Sequence, residues 1–185
     1  MVASRTLALS VLLLAAVAGP ADAGTPGRLP VPLAADCGSG VTGVGFTAFG
    51  CLSGAGGTNY AHPAELLVLR ANGTYTGYHN SISEPNRMAR STTGEVVAAH
   101  NDSIVRVTAS ALTTLVSHGQ LDQLFPGSRG LAAINALTVT GSDAVFFRAN
   151  YYAPHAHGCG NIRAELTTGG RLMVFWRSGT GLICG

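Results

Sequence analysis

The stretch that decides the fold is residues 108–126, TASALTTLVSHGQLDQLFP. Its apolar residues Leu112, Leu115 and Val116 recur at three- and four-residue spacing, the signature of one face of a helix. The Thr108 hydroxyl can cap a helix start, and Pro126 cannot continue one. The spacing therefore predicts a helix over 108–125, broken or kinked at Gly119, with Leu121, Leu124 and Phe125 making a further apolar turn. Leu112, Leu115 and Val116 would then bury together against a sheet, with Thr113, Thr114 and Ser117 turned to water or the helix edge.

On either side the sequence reads as strand. Residues 65–70, ELLVLR, form an apolar run of strand length, and Asn72-Gly73 before Thr74-Tyr75-Thr76-Gly77-Tyr78 is a hairpin signal. Residues 79–93 are polar, contain Pro85 and read as an exposed loop, after which 95–107 resumes β-branched runs interrupted at Asn101-Asp102. Beyond Gly130 come runs over 134–140, 144–152, 162–168 and 171–176, with turns at Gly141-Ser142 and Gly169-Gly170. A two-residue loop at Gly169-Gly170 places Leu166 opposite Met173 and Ala164 opposite Phe175 on the core face, and Arg163 opposite Trp176 and Glu165 opposite Val174 on the other. Residues 38–57 hold too many glycines for a helix and read as a pinned loop, with a flexible cluster at Gly54–Gly57. No stretch of 20 to 50 residues repeats in composition, so neither a solenoid nor a propeller is expected. The fold class expected is α+β: a largely antiparallel sheet of serial hairpins, with one main helix packed on it, stapled by disulfides.

The first 23 residues have the form of an export signal: Arg5 in a short basic start, an apolar run from Leu7 to Val17, and small residues at Ala21-Asp22-Ala23. The run is shorter than the roughly 20 residues that a membrane-spanning helix needs. Cleavage after Ala23 is expected, giving a secreted chain. Residues 24–36 carry Pro26, Pro30 and Pro32 and form a flexible lead-in, and 37–185 form a single domain. All four cysteines lie in that portion, with no Cys-x-x-Cys spacing, so disulfides are favoured over a zinc-thiolate site. Of the three possible pairings, Cys37 with Cys51 and Cys159 with Cys184 each close one local segment.

Composition excludes some classes of function. Only 11% of residues are charged, the formal net charge is +2, and the eleven basic residues are all arginines scattered singly from Arg5 to Arg177. No basic stripe tracks a phosphate backbone, so direct nucleic-acid binding is not expected. The 46% hydrophobic content is that of a folding chain.

Three groups of residues bear on chemistry. Arg163, Glu165 and Trp176, with Tyr151 and Tyr152 near in sequence, can form a ligand platform on the open face of the last hairpin, or Arg163 can simply lie over Trp176. His155 and His157 can chelate a metal as the alternative use of that loop, but Pro154 and Gly158 flank them and sequence supplies no third ligand. Glu65, Glu95 and Glu165 with the histidines and arginines provide the acid, base and cation of a hydrolase, yet no Gly-x-Ser-x-Gly or His-Glu-x-x-His motif occurs. The expectation is an extracellular binding module for a protein or glycan, with no cofactor. A small nuclease-like hydrolase stands second and a metal-binding protein third. Asn72-Gly73-Thr74 and Asn101-Asp102-Ser103 fit the glycosylation acceptor pattern.

Overall fold

A computed structural model describes residues 37–38, 40–51, 65–79, 87–152 and 159–178. The export signal over 1–23, the lead-in over 24–36, the Gly54–Gly57 cluster, Pro85, His155, His157 and Cys184 lie outside the described residues. Glu65, His79 and Cys159 are placed in strands but their side chains are not described.

The described residues form three four-stranded antiparallel sheets, each a simple up-and-down meander. The first contains β1 (Val41–Gly43), β2 (Phe46–Cys51), β3 (Glu65–Arg70) and β4 (Tyr75–His79). The second contains β5 (Met88–Arg90), β6 (Val96–His100), β7 (Ser103–Val107) and β8 (Leu112–Val116). A helix of five residues, α1 (His118–Asp122), leads into the third sheet: β9 (Leu131–Val139), β10 (Val145–Tyr152), β11 (Cys159–Leu166) and β12 (Leu172–Arg177). The sheets start at Val41, Met88 and Leu131, steps of 47 and 43 residues, so topology repeats although composition does not.

The α+β expectation is thus corrected to a mostly antiparallel β-fold, with one short helix among the described residues. The reason lies in the quoted stretch. Opposite β8 the register slips between Ile104 and Val105, so that Ile104 faces Val116 while Val105 faces Thr114, and Leu115 is the extra residue. A bulge breaks the period of two and produces the three- and four-residue spacing that imitates a helix face. The three apolar residues do not share a face: Leu112 packs towards the first sheet, whereas Leu115 and Val116 pack towards the third. Only the segment after Val116 is helical. Ser117 caps α1 through the Gln120 amide N–H, and the Gln120 side chain returns to the Ser117 N–H at 2.9 Å, a reciprocal capping box.

Other boundaries also move. Residues 38–51 were expected as a loop but carry β1 and β2, because two of their glycines lie beneath aromatic rings. A Cβ at Gly40 would meet the Phe49 ring, and one at Gly43 the Phe46 ring. The polar run over 79–93 includes the strand β5. Asn101 and Asp102 form a two-residue hairpin turn with φ of 48° and 54°.

The last hairpin has a three-residue loop, 168–170, closed by the Thr167 N–H on the Arg171 carbonyl and the Gly170 N–H on the Thr167 carbonyl. Leu166 therefore faces Leu172, Glu165 faces Met173 and Ala164 faces Val174. A bulge at Phe175 then restores the expected pairing of Arg163 with Trp176.

The sheets stack face to face. β1 lies against β5 and β6, and β5 and β6 lie against β9. Phe46, Ala48, Leu66 and Val68 of the first sheet bury against Val96, Ala98, Val105 and Val107 of the second. Val97, Ile104 and Val116, on its other face, join Leu121, Leu137, Phe147, Tyr151 and Ile162 in a larger core with the third sheet. Arg70 also ties the first two sheets, its Nε donating to the Ala109 carbonyl at 2.6 Å. Cys37 and Cys51 form the expected disulfide, 14 residues apart.

Two stability outcomes are expected. Replacing Cys37 and Cys51 together by Ala should cost about 3 kcal/mol in denaturant unfolding, the chain-entropy value for a loop of this length. Gly160 lies under the Phe125 ring, which a Cβ would overlap, whereas Gly141 faces open space. Gly160→Ala should therefore destabilise by about 1–3 kcal/mol through overpacking, while Gly141→Ala should stay within about 0.5 kcal/mol of the parent. Equal effects from the two glycine variants would contradict the packing described.

Candidate functional site

The third sheet has one face in the core and one partly open to water. Because β10 pairs with β11 without interruption from Val145 to Tyr152, alternation assigns every side chain. Val145, Phe147, Ala149 and Tyr151 turn inward, while Phe146, Arg148, Asn150 and Tyr152 turn to the other face, where Arg148 and Tyr152 are exposed and Asn150 is buried, at 5% exposure. Across β11 and β12 the outward rows are Phe146, Glu165 and Met173, then Arg148, Arg163 and Trp176.

The platform residues named from sequence separate accordingly. Arg163 and Trp176 meet, with the guanidinium carbon 5.0 Å from the ring centroid. Glu165 lies one row away. Tyr152 is on the same face, 48% exposed. Tyr151 is on the opposite face and 0% exposed, so it is no part of the platform. Its hydroxyl donates to the Leu121 carbonyl at 2.7 Å, and its ring meets Phe125 edge-on at 5.4 Å.

Three residues of this face escaped the sequence reading. Phe175 is 57% exposed beside Trp176 at 41%, and the Phe175 ring lies 5.7 Å from that of Phe146. Arg148 stands directly opposite Arg163. Phe146 and Arg148 follow from alternation along VFFRANYY once the phase of β10 is known. Phe175 does not, because only the bulge brings it to this face.

Two other polar groupings exist among the described residues. A cleft of about 230 Å³ between the second and third sheets is rimmed by Glu95, Arg106 and Asp143 over Val97, Val145 and Leu166. Each acid there is engaged: Glu95 pairs with Arg106, and Asp143 accepts the Thr92 hydroxyl at 3.2 Å. The volume also falls below the roughly 300 Å³ at which small-molecule pockets begin. At another corner, His118 Nε2 lies 3.1 Å from Asp122 and its Nδ1 4.0 Å from Asp102. Asp122 also accepts the Leu131 N–H at 2.7 Å, so this cluster fastens α1 to β9. Burial pushes the Asp102 carboxyl above its ordinary value, with His118 pulling it back. Among the described residues, no group of three His, Cys, Asp or Glu side chains could hold a metal. Of the three glutamates considered for hydrolysis, Glu95 lies in the cleft and Glu165 on the outer face, so these two do not converge.

Comparisons of the chain with protein-family models, curated proteins and solved structures give no match.

Burial pushes the Tyr151 phenol far above its ordinary value of 10.0. The folded state therefore keeps this proton at a pH where the unfolded chain releases it. The resulting stability is complete below pH 10 and is lost as pH rises beyond it. Tyr151→Phe should cost about 1 kcal/mol at neutral pH by removing the hydrogen bond to Leu121. It should also flatten the alkaline fall in a series of denaturant titrations from pH 8 to 12. An alkaline limb as steep as that of the parent would mean that Tyr151 is not the group responsible.

Proposed function

We propose that this protein is an exported binding module whose ligand-bearing surface is the outer face of the third sheet, and that its ligand is a glycan. One observation carries the reading. Phe175 and Trp176 stand side by side in water on a strand whose alternate residues could have hidden them. Large aromatic side chains bury readily, and a contiguous exposed group of them is how contact surfaces differ from ordinary surface. A sugar ring presents a flat set of C–H bonds that can stack on exposed aromatic rings. The disulfide between Cys37 and Cys51 and the signal-like N-terminus support an oxidising, extracellular setting. Glu95, in the cleft, and Glu165, on the outer face, do not converge into one acid–base pair.

Labelled protein applied to an array of neutral and acidic glycans provides the test, with Phe175→Ser/Trp176→Ser as the comparison variant. The wild type should be retained on a defined subset, and the variant at least tenfold less on the same subset. Retention that survives both substitutions, or a wild type retained on no glycan, would remove the reading.

A further inference from the structure

The middle row of the outer face runs Arg148, Arg163, Trp176 across three adjacent strands. Arg148 and Arg163 are directly opposite, with backbones about 5 Å apart, and both are exposed. Like charges in that position destabilise a sheet. Neither forms an ion pair among the described residues, and Glu165, one row away, pairs with neither. Arg163 is occupied by the Trp176 ring. Arg148 is exposed and has no ion-pair partner among the described residues, and its neighbour on β9 in the same row is the small, exposed Ala136.

We propose that this row binds a uronate-bearing polysaccharide, with Arg148 and Arg163 holding carboxylates and Trp176 stacking on a sugar ring. The proposal rests on the reading of this face as a glycan-binding surface. Two features of the row select the ligand. Planar guanidinium forks match planar carboxylates through two parallel hydrogen bonds, so a bound carboxylate would turn a repulsive pair into a clamp. Strands are spaced about 4.8 Å apart, close to the length of one sugar ring. An extended acidic polysaccharide lying across the strands would therefore present successive units to Arg148, Arg163 and Trp176 in register. The shelf of Phe146 and Phe175 beside the row gives the apolar side of the chain a second contact.

Trp176 is the only tryptophan in the sequence, so its fluorescence reports on this site alone. A hexamer of polygalacturonate, its neutral methyl ester and a heparin hexamer serve as probes, titrated near 0.15 M salt, where exposed charges beyond about 8 Å are screened. Calorimetry is run in parallel, because Arg163→Gln itself alters the surroundings of the reporter. Polygalacturonate should produce a saturable change. Its affinity should fall at least tenfold in Arg148→Gln/Arg163→Gln and severalfold in Arg148→Gln, which leaves the Trp176 contact intact. Arg90→Gln, an exposed arginine of the second sheet, should bind like the wild type, and the methyl ester at least tenfold more weakly than the acid.

Four results would overturn the proposal: a methyl ester that binds as tightly as the acid, double-variant binding that is undiminished, tighter binding of heparin than of polygalacturonate, or no response to polygalacturonate. If one of these occurs while Phe175→Ser/Trp176→Ser still abolishes glycan retention on the array, the surface stands and only the uronate assignment fails. If the aromatic variant also binds like the wild type, the surface itself fails.

Discussion

The constraint on which the molecule depends is that β6, inside the second sheet, is covered on both faces. Val96, Val97 and Ala98 are consecutive in β6 and all buried, as are Ile104 and Val105 in β7. An antiparallel strand usually alternates between core and water, and a run of adjacent buried residues requires cover on both sides. The first sheet supplies one cover through Leu66 and Val68, and the third supplies the other through Leu137, Val145 and Phe147. Each outer sheet turns one apolar face to it, and β3 of the first sheet is itself buried on both faces at Leu66, Leu67 and Val68. The far face of the third sheet is open at Arg148, Arg163, Phe175 and Trp176, and there it carries arginines and exposed rings.

How much of this was legible depended on whether a strand keeps its period. The hairpins after Gly130 could be read because alternation and turn residues agree there. Residues 108–126 could not, since the extra residue Leu115 turns a period of two into spacings of three and four, and sequence does not mark a bulge. In the last hairpin two departures offset each other. The loop is one residue longer than its glycine pair suggests, and the Phe175 bulge shifts the register back, so the pairing of Arg163 with Trp176 emerges from either reading. Tyr151 and Tyr152 were grouped by adjacency, but adjacent strand residues point to opposite faces, and only the phase of β10 tells which is core.

The repeat of three meanders was hidden for a related reason. Four of their hairpins close in the same way, with a three-residue loop whose last position is left-handed: Gly73, Gly94, Asp143 and Gly170. The loops themselves read Ala-Asn-Gly, Thr-Thr-Gly, Gly-Ser-Asp and Thr-Gly-Gly. What recurs is a backbone conformation that glycine adopts without strain and aspartate tolerates. Several residue combinations satisfy it, so the geometry can repeat every 40-odd residues while the sequence shows no period.

The outer face of the third sheet is where folding alone stops accounting for the side chains. Stacking over Trp176 offsets the charge of Arg163 by about 0.5–1 kcal/mol at an exposed site. A cross-strand contact of that kind would satisfy folding with any neutral partner opposite. Arg148 adds a second cation directly across from it, gains no ion pair among the described residues, and borders the small Ala136. A threonine or glutamate at position 148 would serve the sheet better, the first by propensity and the second by pairing with Arg163. Of the three residues in the row, Arg148 is therefore the one that contacts among the described residues account for least, and the proposed carboxylate would supply its partner with no rearrangement of the sheet.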